Sequence, residues 1–115
     1  METQTALIAL SALAQETRLA IFRRLVRTGP AGETAGSIAE GLATPAPTLS
    51  FHLKELERAG LIMQRREGRN LIYATNFGGM RDLLSFLMKD CCAGHPEICT
   101  INFMENCHES ASCSS

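Results

Sequence analysis

The chain has 115 residues and a mass of 12.5 kDa, enough for one domain with a modest core and too little for most multidomain enzymes. Hydrophobic residues make up 45% of the chain and tryptophan is absent, which is typical of a soluble globule with an aliphatic core. The formal net charge of -1 excludes a protein that is basic overall. Any contact with nucleic acid must therefore come from a local cluster of charge.

The charged residues are unevenly distributed along the chain. All eleven Lys and Arg residues fall within residues 1–89, whereas residues 90–115 contain acidic but no basic side chains. The densest basic cluster lies between positions 54 and 69 and consists of Lys54, Arg58, Arg65, Arg66 and Arg69. This segment is the expected place for phosphate contacts.

The apolar stretch 6–14 has the length of a signal-peptide core, but no basic residue precedes it, so we expect it to belong to the fold. No apolar run approaches the roughly 18 residues of a membrane-spanning helix. We therefore expect a cytoplasmic protein without membrane contact. Thiols stay reduced there, so the cysteines are interpreted as ligands or redox groups before structural disulfides.

Helical spacing of apolar residues predicts four helices in the first half of the chain. The first covers about 4 to 14, and the second runs from Gln15-Glu16-Thr17 to a stop at Thr28-Gly29-Pro30. A short helix at about 35 to 42 is followed by a stronger one at about 46 to 59. The predicted buried stripe of the second helix consists of Leu19, Ile21, Phe22, Leu25 and Val26.

The helix at 46–59 has Pro47 in its first turn and Gly60 just past its end, the usual positions of these residues. Residues 61–75 predict two short strands around a Glu67-Gly68 turn, and a last helix is predicted at about 78 to 92. The predicted fold class is mainly α with a β-hairpin wing, a winged helix-turn-helix. We assign residues 1–92 to this domain and residues 93–115 to a cysteine-containing tail.

A helix that reads DNA needs short polar groups opposite its apolar stripe, because the major groove admits a single helix. Thr48, Ser50 and Lys54 meet this requirement, with His52 at the edge of the same face. A rigid hairpin carrying Arg65, Arg66 and Arg69 suits phosphates or the minor groove. Each residue alone could equally be a solvated surface position, and His52 a packed histidine. The ordered combination favours double-stranded DNA as the partner.

Two segments of the sequence resemble parts of a known protein family. The first segment is Leu49-Ser50-Phe51-His52-Leu53-Lys54-Glu55-Leu56-Glu57-Arg58-Ala59-Gly60-Leu61-Ile62, and the second is Arg66-Glu67-Gly68-Arg69 followed by Tyr73. These two segments resemble the recognition helix and wing of the ArsR/SmtB family of repressors. Glu16-Thr17-Arg18-Leu19 is similar to the start of that family's second helix. The resemblance spans about residues 5 to 92. It implies a homodimer held by the first and last helices that binds a two-fold operator and releases it when an effector binds.

All five cysteines lie in the last 25 residues, and three of them, Cys91, Cys92 and Cys99, fall around Gly94 and Pro96. Gly and Pro would let the chain double back and bring Cys99 towards the vicinal pair. Three thiolates match a soft trivalent centre, so the predicted ligand is trivalent arsenic, as arsenite or its antimony counterpart, with no cofactor required. A zinc structural site usually takes a fourth protein ligand.

The sequence also differs from the family's usual pattern in two respects. Residues 35–59 lack the cysteines of its best-known arsenic arrangement, and the last helix lacks the paired Asp and His ligands of its zinc sensors. His95, His108 and Cys107 leave zinc as an alternative, and Cys107 and Cys113 are interpreted as spare thiols. The sequence therefore predicts a repressor that releases DNA when arsenic reorders the end of the last helix and shifts the dimer. The alternatives are a redox or persulfide switch through Cys92 and Cys99 and, less favoured, a thiol enzyme such as an arsenate reductase.

Overall fold

Two helices, a short strand, two further helices, a hairpin and a fifth helix follow one another in the order of a winged helix-turn-helix, which confirms the predicted fold class. The structure is a computed structural model that describes residues 1–89. The helices are α1 (Thr3–Leu13), α2 (Glu16–Thr28), α3 (Ala35–Gly41), α4 (Ala46–Arg58) and α5 (Phe77–Met88). The strands are β1 (Glu33–Thr34), β2 (Ile62–Glu67) and β3 (Asn70–Thr75).

The alanines of α1 face the core, and its larger apolar side chains are exposed. Ala6, Ala9 and Ala12 are buried, whereas Leu7 and Ile8 are about half exposed. Small side chains let the α1 backbone pack closely on α2 and α4, the two helices it contacts. The larger apolar residues are left as an uncovered surface on this helix.

α2 forms the centre of the domain. The Gln15 side chain caps it by accepting a hydrogen bond from the Arg18 backbone N–H at 2.8 Å. Ile21, Phe22 and Leu25 are buried as the stripe predicts, but Leu19 is exposed. α2 packs against α1, α4 and β3, so it links the N-terminal helix to both parts of the DNA-binding motif.

A carboxylate joins the elements that precede α4. Glu33 accepts two hydrogen bonds from the Arg24 guanidinium, both at 2.8 Å, and further ones from the hydroxyl groups of Thr28 and Ser37. Hydrogen bonding from Arg24 holds the pKa of Glu33 below its ordinary value despite partial burial. This cluster fixes β1 and the start of α3 against the end of α2.

α4 and the sheet complete the motif. Leu49, Leu53 and Leu56 of α4 are almost fully buried and attach the helix to the core. β2 and β3 form the predicted antiparallel hairpin, with Glu67 opposite Asn70 and Gly68 in the turn at φ +64°. β1, which the sequence pattern did not predict, pairs antiparallel with β3 to give the strand order β1-β3-β2.

The start of α5 is held against the end of α4. Asn76 caps α5 by accepting a hydrogen bond from the Gly79 backbone N–H at 3.1 Å. The Asn76 side-chain amide donates to the Gly60 carbonyl oxygen at 3.0 Å, and its backbone N–H donates to the Leu61 carbonyl at 2.9 Å. We call these bonds of Asn76 to Gly60, Leu61 and Gly79 the Asn76 clamp.

α5 begins one residue before its predicted start and ends at Met88, earlier than the predicted position 92. Lys89 forms a turn, and residues 90–92 lie outside the described part of the chain. The chain divides into two units after Leu84, and of the second unit only the end of α5 and Lys89 are described. The proposed division into residues 1–92 and 93–115 stays a prediction.

Within residues 1–89, no single helix is long and apolar enough to cross a membrane. The segments Thr3–Leu13 and Glu16–Ala31 reach the required length and hydropathy only together, and they are bent by 100° where they meet.

Replacing Gly79 by alanine should destabilise the fold, because a Cβ atom there would lie 2.5 Å from the Gly60 carbonyl oxygen. We expect a loss of about 1 to 3 kcal/mol in the free energy of unfolding, measured by urea denaturation. Gly78→Ala is the matched control, since its Cβ would meet only the Asn76 side-chain oxygen at an ordinary 3.5 Å. Equal stability of the two variants would contradict a close approach of α5 to Gly60.

Replacing Glu33 by glutamine should lower stability at neutral pH by removing the ionic hydrogen bonds to Arg24. The pKa of Glu33 is lower in the folded chain, so its contribution is present above the unfolded pKa and disappears as the pH falls through the folded one. The difference between the wild type and Glu33→Gln in urea denaturation should therefore shrink from pH 7 towards pH 3. A difference independent of pH would show that the carboxylate charge is not involved.

Candidate nucleic-acid interface

α4 has one buried face and one exposed face. Pro45 precedes it in an extended conformation and Pro47 lies in its first turn, so the missing backbone donors cost no helical hydrogen bond. The buried leucines fix the rotation of the helix about its axis. The residues left exposed are Ala46, Pro47, Thr48, Ser50, Phe51, Lys54 and Arg58.

Three of the four residues predicted to read bases lie on this exposed face. Thr48, Ser50 and Lys54 are all exposed, and none of their side chains hydrogen-bonds within residues 1–89. At the C-terminal end, Arg58 forms an ion pair with Glu55 at 3.1 Å across one turn, and it remains largely solvated. The face therefore presents hydroxyl groups and cations to solvent.

His52, the fourth predicted residue, is placed differently from the expected edge position. Only 8% of its surface is exposed, and its Nδ1 accepts a hydrogen bond from Nε of Arg18 on α2 at 3.3 Å. Desolvation lowers the pKa of His52, and the neighbouring Arg18 charge lowers it further, while Glu55 acts in the opposite direction. His52 therefore joins α4 to α2, and its burial argues against a direct contact with bases.

The three wing arginines differ from one another. Arg66 and Arg69 are exposed, and neither has a hydrogen-bond or ion-pair partner in the described part of the chain. Arg65 bonds to Glu67 at 2.6 Å and donates to the carbonyl oxygens of Pro30 and Ala31 at 3.1 and 2.8 Å. Arg65 thus ties the hairpin to the short 3-10 helix at Gly29–Ala31, and the other two arginines extend freely from the wing.

Phe51 also lies on this face, although it is not among the residues predicted to contact DNA. It is 56% exposed, in the middle of α4, between Ser50 and the buried His52. Its position could have been found from the sequence, since it lies two residues from both Leu49 and Leu53 and each residue turns the helix by about 100°. An aromatic side chain thus points away from the core on the face that carries the cations.

The predicted arsenic site lies outside the described residues, because Cys91, Cys92 and Cys99 all follow Lys89. Within residues 1–89, no three His, Cys, Asp or Glu side chains are grouped so that they could hold a metal ion. The described domain therefore carries the candidate DNA-binding groups but none of the proposed thiol ligands.

Comparison with known proteins supports a regulatory domain. A family model described as a helix-turn-helix domain matches residues 13–65, and no curated protein matches significantly. Among solved structures, HlyU from Vibrio cholerae N16961 is 30% identical, with 76% of this chain and 97% of that chain covered and a TM-score of 0.59. A second HlyU structure, described as reduced, is 29% identical with a TM-score of 0.58, over 76% of this chain and 92% of the other.

Other structures resemble the chain at similar levels. A protein described as ArsR family transcriptional regulator RHA00566 is 27% identical over 75% of this chain and 91% of its own, with a TM-score of 0.64. A possible transcriptional regulator for arsenical resistance is 26% identical over 69% and 79%, with a TM-score of 0.59. The homodimeric winged helix-turn-helix domain Mb0332 from Mycobacterium bovis shares the fold at 24% identity, over 80% and 85%, with a TM-score of 0.62.

Three observations indicate one family. They are the fold, the exposed face of α4 beside the cationic wing, and the 30% identity to HlyU, which this chain covers over 97% of its length. The chain belongs to the ArsR family of winged-helix DNA-binding transcriptional regulators, which are not enzymes.

Proposed function

We propose that this regulator is a homodimeric repressor that holds a two-fold operator and releases it when Cys91, Cys92 and Cys99 bind trivalent arsenic. The observation that carries the proposal is the exposed polar and cationic face of α4 beside two wing arginines that have no partner among residues 1–89, on a chain whose cysteines all follow α5. The reduced state of thiols in the cytoplasm would keep these ligands available.

The DNA contacts would divide between base edges and phosphates. Ser50 and Lys54 are short or flexible polar groups on the exposed face of α4, suited to the base edges of the major groove. Arg66 and Arg69 would contact phosphates or the adjacent minor groove. Arg65 would act mainly by holding the hairpin in place, because its guanidinium already donates to two backbone carbonyls.

Dimerisation is supported by the uncovered surface of α1. Leu7, Ile8 and Leu10 are exposed on a helix whose alanines take up the core side, and Leu19 of α2 is exposed as well. Large apolar side chains at this density on a small domain are typical of a protein interface. Mb0332, which shares the fold, is described as homodimeric, and two copies would place two α4 helices for a two-fold site.

Arsenic binding is supported by the chemistry of the thiols and by one relative. Three thiols can replace the three hydroxyl groups of arsenous acid, forming three As–S bonds and releasing three water molecules. Soft sulfur ligands favour such a soft acceptor over hard cations. The relative described as a possible regulator for arsenical resistance is similar over 69% of this chain.

The Asn76 clamp supplies a physical route from the last helix to the DNA-binding face. Asn76 caps α5 and at the same time bonds to Gly60, directly after α4. A change in the direction of α5 would therefore pull on the C-terminal end of α4. In a dimer, moving both α4 helices by a few ångströms would disrupt DNA binding on at least one half-site.

A second candidate is a thiol redox switch of the same fold, favoured by the relative whose structure is described as reduced HlyU. Hydrogen peroxide would oxidise Cys92 and Cys99 to one disulfide, with two protons and two electrons passing from the thiols to the peroxide to give two molecules of water. This hypothesis keeps the same DNA-binding face. It differs from the first in the effector and in needing two sulfurs rather than three.

Replacing either Arg66 or Arg69 by alanine should weaken binding to operator and random-sequence duplexes by similar factors, because phosphate contacts carry no sequence information. The slope of log affinity against log salt should fall by about 1 for each phosphate that is no longer neutralised, or by about 2 in a dimer with two half-sites. Fluorescence anisotropy over a salt series measures both quantities. Arg27→Ala, which removes an exposed cation from α2, is the control, and equal slopes for all three variants would contradict a phosphate role for the wing.

Replacing Cys99 by serine should leave DNA affinity unchanged and abolish release by arsenite, because the third sulfur ligand is removed. We would measure anisotropy of a labelled duplex selected with the wild-type protein and titrate arsenite under reducing conditions. Cys113→Ser is the matched control and should release DNA like the wild type. Release of the Cys99→Ser protein at the wild-type arsenite concentration would refute the three-sulfur site.

The same anisotropy assay, with hydrogen peroxide in place of arsenite, distinguishes the redox hypothesis from the arsenic hypothesis. Reversible release accompanied by a loss of about 2 Da would support a disulfide. Release by arsenite alone, with no effect of peroxide on affinity, would support the arsenic hypothesis.

A further inference from the structure

We propose that Phe51 reads thymine by packing its ring against the 5-methyl group of that base in the major groove. The inference deepens the proposed function, because it rests on α4 entering the groove. It assigns a specificity-determining role to a residue in the middle of the exposed face, and it predicts that part of the operator sequence is recognised without hydrogen bonds.

The placement of Phe51 is the first argument. Each residue of a helix turns it by about 100°, so Phe51, two residues from both Leu49 and Leu53, points almost directly away from this buried stripe. Its neighbours one turn away, at i-4 and i+3, are Pro47 and Lys54, and both are exposed. The ring therefore lies near the midline of the face that would enter the groove, and not at its rim.

The chemistry of the surroundings is the second argument. An exposed phenyl ring has to find an apolar partner to gain free energy, and Lys54 and Arg58 on the same face make it unsuited to an apolar protein surface. The thymine methyl is the apolar group that the edges of the bases present in the major groove. A phenyl ring among cations fits a DNA surface with phosphates at its sides and a thymine methyl at its floor.

The orientation of the ring is the third argument. Phe51 and His52 pack edge to face, with ring centroids 5.4 Å apart and an interplanar angle of 64°. His52 is itself buried and held by the hydrogen bond from Arg18. The exposed ring thus rests on a fixed partner, which reduces the conformational entropy cost when it contacts DNA.

The test removes the thymine methyl without changing base pairing. A duplex is selected from a random-sequence library with the full-length protein, and each thymine is then replaced in turn by deoxyuridine. We expect about a fourfold loss of wild-type affinity at one thymine of each half-site, as for a buried methyl group. Phe51→Ala should bind the thymine and deoxyuridine duplexes equally.

Two further variants keep the result interpretable. Phe51→Leu retains an apolar side chain and should keep part of the sensitivity to deoxyuridine. Met63→Ala removes a comparably exposed apolar side chain, 52% exposed and on β2, and should keep the full wild-type sensitivity. Circular dichroism of all variants should match the wild type, since the replaced side chains are exposed.

The outcomes distinguish this inference from the proposed function. Wild-type affinity that is unaffected by deoxyuridine at every position would overturn the role of Phe51 while leaving the repressor intact. Equal sensitivity in the wild type and Phe51→Ala would also overturn it, because the methyl would then be read by another residue. If no duplex from the library binds, both the proposed function and this inference fail.

Discussion

The burial of one face of α4 is the constraint on which the rest of the structure depends. Leu49, Leu53 and Leu56 are almost fully removed from solvent, so rotating the helix by even one residue would expose apolar surface. Because this face is fixed, the opposite face is fixed too, and the same packing that stabilises the domain determines which side chains can reach DNA. In so small a core, stability and recognition cannot be separated.

The contacts of α4 with its neighbours refine this orientation at both ends. Arg18 of α2 holds the imidazole of His52, and the Asn76 clamp holds the backbone that follows the helix. The first contact lies behind the exposed face and the second lies between α4 and α5. Polar contacts of this kind fix the orientation of the helix, whereas apolar burial contributes most of the free energy of folding. A regulator needs both, because its DNA-binding face must be rigid in one state and movable as a unit between states.

The sequence predicted most of this architecture because the helices and the hairpin have strong local signals. Pro47, Gly60 and Gly68 mark boundaries that the structure confirms, and the leucine spacing of α4 identifies its buried face. β1 escaped prediction because a two-residue strand has no periodicity, and its pairing with β3 is a tertiary contact. His52 is predicted at the edge of the DNA-binding face, yet it lies three residues after Leu49 and four before Leu56, which is the helical spacing of the buried stripe. The hydrogen bond that Arg18 supplies from another helix is a tertiary contact that the sequence does not reveal. The exposure of Leu19 likewise depends on how other elements pack against α2, which helical spacing does not specify.

In the proposed function, the separation of the DNA-binding face from the thiol ligands follows from the incompatible demands on their side chains. Groups that contact phosphates must remain charged and exposed, as Arg66 and Arg69 are, whereas soft thiol ligands must converge on one centre and exclude water. Thiolates near the wing would pair with these arginines and weaken both functions. In the proposed function the thiol ligands follow α5 in the sequence, and the start of α5, through Asn76, would be the mechanical link to α4.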